Sequence, residues 1–133
     1  MRTIDTVFII DDDPITVFGI KKILTNVVVC KTVSTYMNGK LAIDDIKENI
    51  NNGNVPQIIF LDINMPIMDG WQFLEEFLKL PITQKVRINI VTSSIDQADR
   101  DRWEFYKSQS HHLITFNSKP IKKSDMGKIA KIA

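Results

Sequence analysis

The stretch FIIDDDPI, Phe8 to Ile15, sets three consecutive carboxylates, Asp11, Asp12 and Asp13, directly behind an apolar run. Like charges repel, and gathering them where a buried strand ends costs free energy unless a cation offsets them. Pro14 follows at once, and proline suits the first turn of a helix. The stretch therefore reads as a buried strand that stops at an acidic turn and hands over to a helix.

The same handover recurs along the chain. Five β-rich apolar runs of strand length stand out: VFII (7–10), VVVCKTV (27–33), QIIFL (57–61), VRINIVT (86–92) and LITF (113–116). Between them, Val17/Ile20/Leu24, Ile43/Ile46/Ile50 and Leu74/Phe77/Leu78 repeat at helical spacing, and Met126, Ile129, Ala130 and Ala133 do so after the fifth run. Asn38-Gly39 and Asn52-Gly53 read as turns, Asp69-Gly70 as a turn leading into a helix, and Pro81 as the stop of the third helix. Strict strand and helix alternation implies an α/β, doubly wound parallel sheet with right-handed crossovers and helices on both faces. VFII and QIIFL lack polar alternation, as strands covered on both faces should.

Length and composition narrow the function classes. At 133 residues, without a linker, repeat or low-complexity segment, the chain reads as one domain over residues 1–133. No run approaches the roughly 18 to 20 apolar residues that cross a bilayer, and the start does not resemble a signal peptide, so no membrane role and a cytoplasmic location are expected. With 17 basic against 16 acidic side chains, interspersed, nothing marks a nucleic-acid partner. The single cysteine, Cys30, lies in VVVC and is expected to be a buried structural thiol. His111-His112, lacking further ligands at metal spacing, reads as an exposed loop. Trp71 and Trp103 read as packing residues, and the lysines of the last helix as a solvated face.

In open sheets of this kind, ligands bind beyond the carboxyl ends of the strands, where the strand order reverses. The residues there are Asp11, Asp12 and Asp13, then Asp62, then Thr92 and Ser93, and finally Lys119. Asp11, Asp12 and Asp62 offer hard oxygen donors, which suit Mg²⁺, or Mn²⁺ in its place. Lys119 brings a compact positive charge and Thr92 a hydroxyl donor, both matched to phosphoryl oxygens. Asp62 is then the natural acceptor, because a carboxylate can attack phosphorus to form an aspartyl phosphate.

These residues resemble the receiver domains of two-component response regulators. IIDDDP is similar to that family's acidic pair, LDINMPIMDG to its phosphoacceptor loop, IVTSS to its switch hydroxyl and FNSKP to its lysine motif, in family order across the whole chain. The resemblance implies a flavodoxin-like (βα)5 sheet with strand order 2-1-3-4-5. It implies Asp62 as phosphoacceptor, Asp12 as a direct metal ligand and Asp11 acting through a metal-bound water. It adds the backbone carbonyl of Asn64 to the metal's ligands and gives Asp13 no such role. Thr92 would bind the phosphoryl group, Lys119 would pair with it, Phe116 would be the aromatic switch, and Lys119-Pro120 would be cis. A sensor histidine kinase or histidine phosphotransfer protein would supply the phosphoryl group, and an unidentified downstream protein would read the changed surface. No attached output domain is expected, nor any enzyme activity beyond self-catalysed acceptance and slow autodephosphorylation. Lys119 follows Thr92 by 27 residues, longer than in a typical receiver, which places extra residues near YKSQSHH.

Two other functions compete. A haloacid dehalogenase type phosphatase also uses a strand-end Asp, a hydroxyl, a Lys and Mg²⁺, but its nucleophile sits on the first strand in a D-x-D-x-T/V setting. Asp11 to Ile15 fails the last position, and here the acidic pair precedes the lone Asp62. A degenerate receiver serving only as a binding module would lack one of the key groups, and every one is present.

Overall fold

The computed structural model describes residues 1–133. Its elements alternate as β1 (Arg2–Ile10), α1 (Pro14–Val27), β2 (Val28–Tyr36), α2 (Gly39–Asn49), a short 3₁₀ turn (Ile50–Asn52), β3 (Ile58–Leu61), α3 (Gly70–Leu78), β4 (Arg87–Thr92), α4 (Gln97–Gln109), β5 (Leu113–Ser118) and α5 (Lys123–Ile129). All strand pairs are parallel, in the order β2-β1-β3-β4-β5.

Alternation along the central strands divides the interior in two. Phe8, Ile10, Ile59, Leu61, Ile88 and Ile90 face α2 and α3, meeting Ile43, Ile46, Phe73 and Phe77. Val7, Ile9, Ile58, Phe60 and Val91 face the other way, onto Ile20 and Leu24 of α1 and Met126 and Ile129 of α5. Both faces of the sheet are thus covered, and the all-apolar runs of β1 and β3 follow from that. The fourth helix is the exception: α1, α2, α3 and α5 each bury at least two residues, whereas α4 buries none.

Several expectations need correction. β1 begins at Arg2 rather than Val7: before Val7 the strand pairs with β2, a backbone bond on its other side at the Thr6 carbonyl coming from the Gln57 N–H, and Val7 to Ile10 gain β3 as a second neighbour. The apolar run therefore marks the doubly paired half of a longer strand. Val27 closes α1, and β2 runs on to Tyr36, because an edge strand can carry polar Ser34 and Thr35. Asn38-Gly39 is a helix start: the Asn38 side chain accepts from the Leu41 N–H at 3.0 Å. Cys30 is only partly buried, because it lies on that same edge strand. His111 is exposed as expected, but His112 is buried, its Nδ1 accepting the Val86 N–H at 2.9 Å and its ring tilted against Phe77. Asn52-Gly53 does turn the chain, with Gly53 at φ 73° in the left-handed region open to glycine.

Candidate functional site

Register brings the strand-end residues together. Ile10 pairs with Leu61, so Asp11 and Asp62 each stand one step beyond a matched pair, and the Asp62 N–H donates to the Ile10 carbonyl at 2.9 Å. Thr92 pairs with Ser118, and the next amide, Lys119, donates to the Thr92 carbonyl at 2.9 Å. The chain leaves β1 toward β2 on one side and returns to β3 on the other, so the crevice at this end is the switch point of the sheet.

Local chemistry fixes each approach. Asp13 caps α1, its carboxylate accepting from the Ile15 N–H at 3.1 Å and the Thr16 hydroxyl at 2.8 Å. Asp69 and Gln72 form a reciprocal capping box at the start of α3. Gly70 presses its α-carbon against the strand end, where its N–H donates to the Ile63 carbonyl at 2.8 Å. Within the same loop Ile67 holds φ at 71°, a conformation that a β-branched residue adopts only under constraint.

Asp11 and Asp62 are 4% and 6% exposed, Asp12 is partly exposed, and one carboxylate oxygen of each lies within 4.8 Å of the others. Lys119 Nζ sits 3.0 Å from Asp11 Oδ2 and 3.4 Å from Asp62 Oδ1. One ammonium thus contacts two of the three carboxylates. Burial first, and then the Asp11 charge, push the Asp62 carboxyl up to about 6, against the pull of Lys119. Burial opposes the charge on Lys119, but the close approach of Asp11 and the charges of Asp11 and Asp62 outweigh it and raise its pKa.

The donor set fits a hard divalent cation. Asp11 Oδ1 accepts the Asp13 N–H at 2.9 Å, while the buried Asp11 Oδ2 receives no aligned hydrogen bond and has only the Lys119 charge beside it. A buried carboxylate oxygen left so is costly, and an all-oxygen donor set suits a hard divalent cation such as Mg²⁺, Ca²⁺ or Mn²⁺.

The remaining predicted residues fall into place less tightly. Thr92 is 1% exposed at the end of β4, and its hydroxyl oxygen accepts the Ser94 N–H at 3.0 Å. Asn64 lies on the exposed segment just after Asp62. Phe116 is not among the converging groups: its half-buried ring lies under α4, 5.6 Å from the Trp103 ring and 5.3 Å from the Arg100 guanidinium. Lys119-Pro120 is cis, as expected. Sequence reasoning missed the close approach of Gly70 to Asp62 and a bridge from Trp71 to Asp99, because nothing in the spacing of residues 71 and 99 links them.

Five parallel strands in the order 2-1-3-4-5, wrapped by five helices, make this a flavodoxin-like fold of the chemotaxis-receiver type. A two component response regulator from Cytophaga hutchinsonii matches it with a TM-score of 0.81 at 29% identity, over 96% of this chain and 95% of that one. A protein-glutamate methylesterase/protein-glutamine glutaminase of Desulfitobacterium hafniense (strain Y51) is 31% identical over 70% of this chain and 22% of its own length. A protein of the same description, numbered 2, from Methanospirillum hungatei JF-1 is 28% identical over 86% of this chain and 30% of its own length. The chain therefore spans less than a third of the length of these two relatives. The response regulator receiver domain matches residues 7–131, and the chain belongs to that family. It is a receiver domain of the two-component type, a component of phosphorelay signalling.

Proposed function

We propose that the protein accepts a phosphoryl group on Asp62 from the phosphohistidine of a sensor histidine kinase or histidine phosphotransfer protein, and so alters a surface read by a downstream protein. The observation that carries this reading is the meeting of Asp11, Asp12 and Asp62 within 4.8 Å, with Lys119 reaching two of them. Asp11, Asp12, Asp62 and the carbonyl of Asn64 would hold Mg²⁺ or Mn²⁺. Such an ion, when bound, supplies positive charge that screens the carboxylates and the incoming phosphoryl oxygens.

The chain's own residues do the rest. An ionised Asp62 oxygen attacks phosphorus, a P–O bond forms as the P–N bond breaks, and the imidazole leaves with the electron pair and takes up a proton. Lys119 offsets charge on the transferring group, so that the site acts mainly by positioning. The Thr92 hydroxyl, now an acceptor from Ser94, turns to donate to a phosphoryl oxygen, and Phe116 shifts its packing under α4. The protein is thus a phosphoryl acceptor with slow self-dephosphorylation rather than a turnover enzyme.

Residues 1–133 act as one receiver unit in the cytoplasm, with protein partners rather than nucleic acid or membrane. The charges are nearly balanced, and no helix is long and apolar enough to cross a membrane. Incubation with acetyl phosphate and Mg²⁺ followed by intact mass measurement tests the reading. One added phosphoryl group on the wild type and none on Asp62→Ala is expected; no addition to the wild type, or equal addition to both, contradicts it.

A further inference from the structure

A chain of hydrogen bonds outside the acidic crevice joins Thr92 to the two helices that flank it. The Ser94 N–H donates to Thr92 Oγ1 at 3.0 Å, the Ser94 hydroxyl donates to Asp99 Oδ2 at 2.6 Å, and the Trp71 indole N–H donates to Asp99 Oδ1 at 3.0 Å. Each oxygen of one carboxylate in the first turn of α4 therefore holds a different element: the loop after β4 and the start of α3. Trp71 is buried and stacks on Tyr106, two turns further along α4, with ring centroids 5.9 Å apart.

α4 needs this attachment more than any other helix does. None of its residues is fully buried, and its apolar contact with the main core is confined to the partly buried Trp103 and Tyr106, so a packed apolar face gives it less stability than the other helices have. Its remaining ties lie farther along: the Trp103 indole N–H on the Ile114 carbonyl at 3.0 Å, and the Trp103 and Arg100 side chains on Phe116. A charge-assisted bridge at the N-terminal end sets where that end sits.

We propose that Asp99 is a positioning residue: with Ser94 and Trp71 it latches the β4–α4 loop and α4 in the resting arrangement, and its release favours the phosphoryl-bound form. The inference rests on the phosphoryl reading of Asp62 for its second half only. The Ser94 N–H, on the loop that Asp99 clamps, holds the Thr92 oxygen in its resting place, so a displacement of that oxygen toward a phosphoryl group breaks this contact or drags the loop with it. An interaction present in one of two states and absent in the other biases the equilibrium toward the first. Removing the latch must then tighten binding of a phosphoryl mimic, whereas damage to a merely structural contact would weaken it.

The test compares wild type with Asp99→Ala, Trp71→Phe and, as a control on the exposed face of α4, Gln97→Ala. Alanine is a good helix former at position 99, and phenylalanine keeps an aromatic ring at position 71 while removing only the indole donor. Amide hydrogen exchange of the unmodified protein is expected to quicken about tenfold over residues 93–101 in both latch variants, and not in the control. Affinity for beryllofluoride in the presence of Mg²⁺ is expected to rise about fivefold in the same two variants. Unchanged exchange overturns the latch, whatever beryllofluoride does. Faster exchange with unchanged or weaker beryllofluoride binding overturns its link to the acceptor site. Failure of the wild type to bind beryllofluoride overturns the phosphoryl reading and the link together, with exchange still deciding the latch itself.

Discussion

Gly70 lies so close to Asp62 that a β-carbon at position 70 would be driven into the Asp62 carbonyl oxygen and stand 2.9 Å from the Ile63 α-carbon. Backbone cannot yield as a flexible side chain can, so the start of α3 is seated against the Asp62–Ile63 peptide. Gly70→Ala should lower stability by about 1–3 kcal/mol and slow phosphoryl uptake on Asp62. Urea unfolding and the rate of uptake from acetyl phosphate measure the two effects; an alanine variant indistinguishable from wild type in both would contradict the packing described.

Lys119 is the only cation beside Asp11 Oδ2. Lys119→Met keeps much of the side-chain volume and removes the charge, so the metal-free protein should lose about 1–3 kcal/mol. Phosphoryl uptake should fall on the order of a hundredfold, the usual scale for losing one preorganised charge at such a site. Added Mg²⁺ should restore a larger share of stability to the variant than to the wild type, read by thermal melting with and without the ion.

How much of this was legible beforehand follows from the kind of signal each feature leaves. VFII and QIIFL announced themselves because both faces of those strands are covered, and Asp11, Asp62, Thr92 and Lys119 because each sits at or just past the end of a strand that carries an apolar run. The polar half of β1 left no such mark: it pairs mainly with the edge strand β2, and of Arg2 to Thr6 only Ile4 is buried. His112 misled for a related reason. Its neighbour His111 is exposed, and only a tertiary partner, the Val86 N–H, gives its ring a reason to be buried. The clamp of Asp99 on Ser94 and Trp71 joins groups on three elements, and no local pattern encodes it.

His112 should make stability fall in mild acid. Burial first, and then the His111 charge, push its pKa down to about 4 from an ordinary value of 6.5. The folded state therefore resists a proton that the unfolded chain accepts: the contribution is complete above 6.5 and is lost as pH falls toward about 4. Protonation at Nδ1 would also remove the acceptor for the Val86 N–H. The loss should total about 3 kcal/mol, and His112→Asn should flatten the difference between urea unfolding near pH 7.5 and near pH 4.5. An equally steep profile in the variant would assign the acid sensitivity elsewhere.

Ile67 carries its left-handed φ of 71° with a side chain that is 80% exposed, so little packing is at stake. Ile67→Gly should stabilise the protein by roughly 0.5–1 kcal/mol, the relief of strain exceeding the added freedom of the unfolded chain. A lower melting temperature in the glycine variant would show that the isoleucine contributes a contact worth more than the strain.

The most direct test is to locate the phosphoryl group chemically. Protein treated with acetyl phosphate and Mg²⁺ is reduced with borohydride, which converts an aspartyl phosphate to homoserine, and the peptides are sequenced by mass spectrometry. Homoserine at position 62 alone is the predicted result; homoserine at position 11 or 12 instead, or at no position in protein that has gained mass, would contradict the assignment of Asp62 as the acceptor.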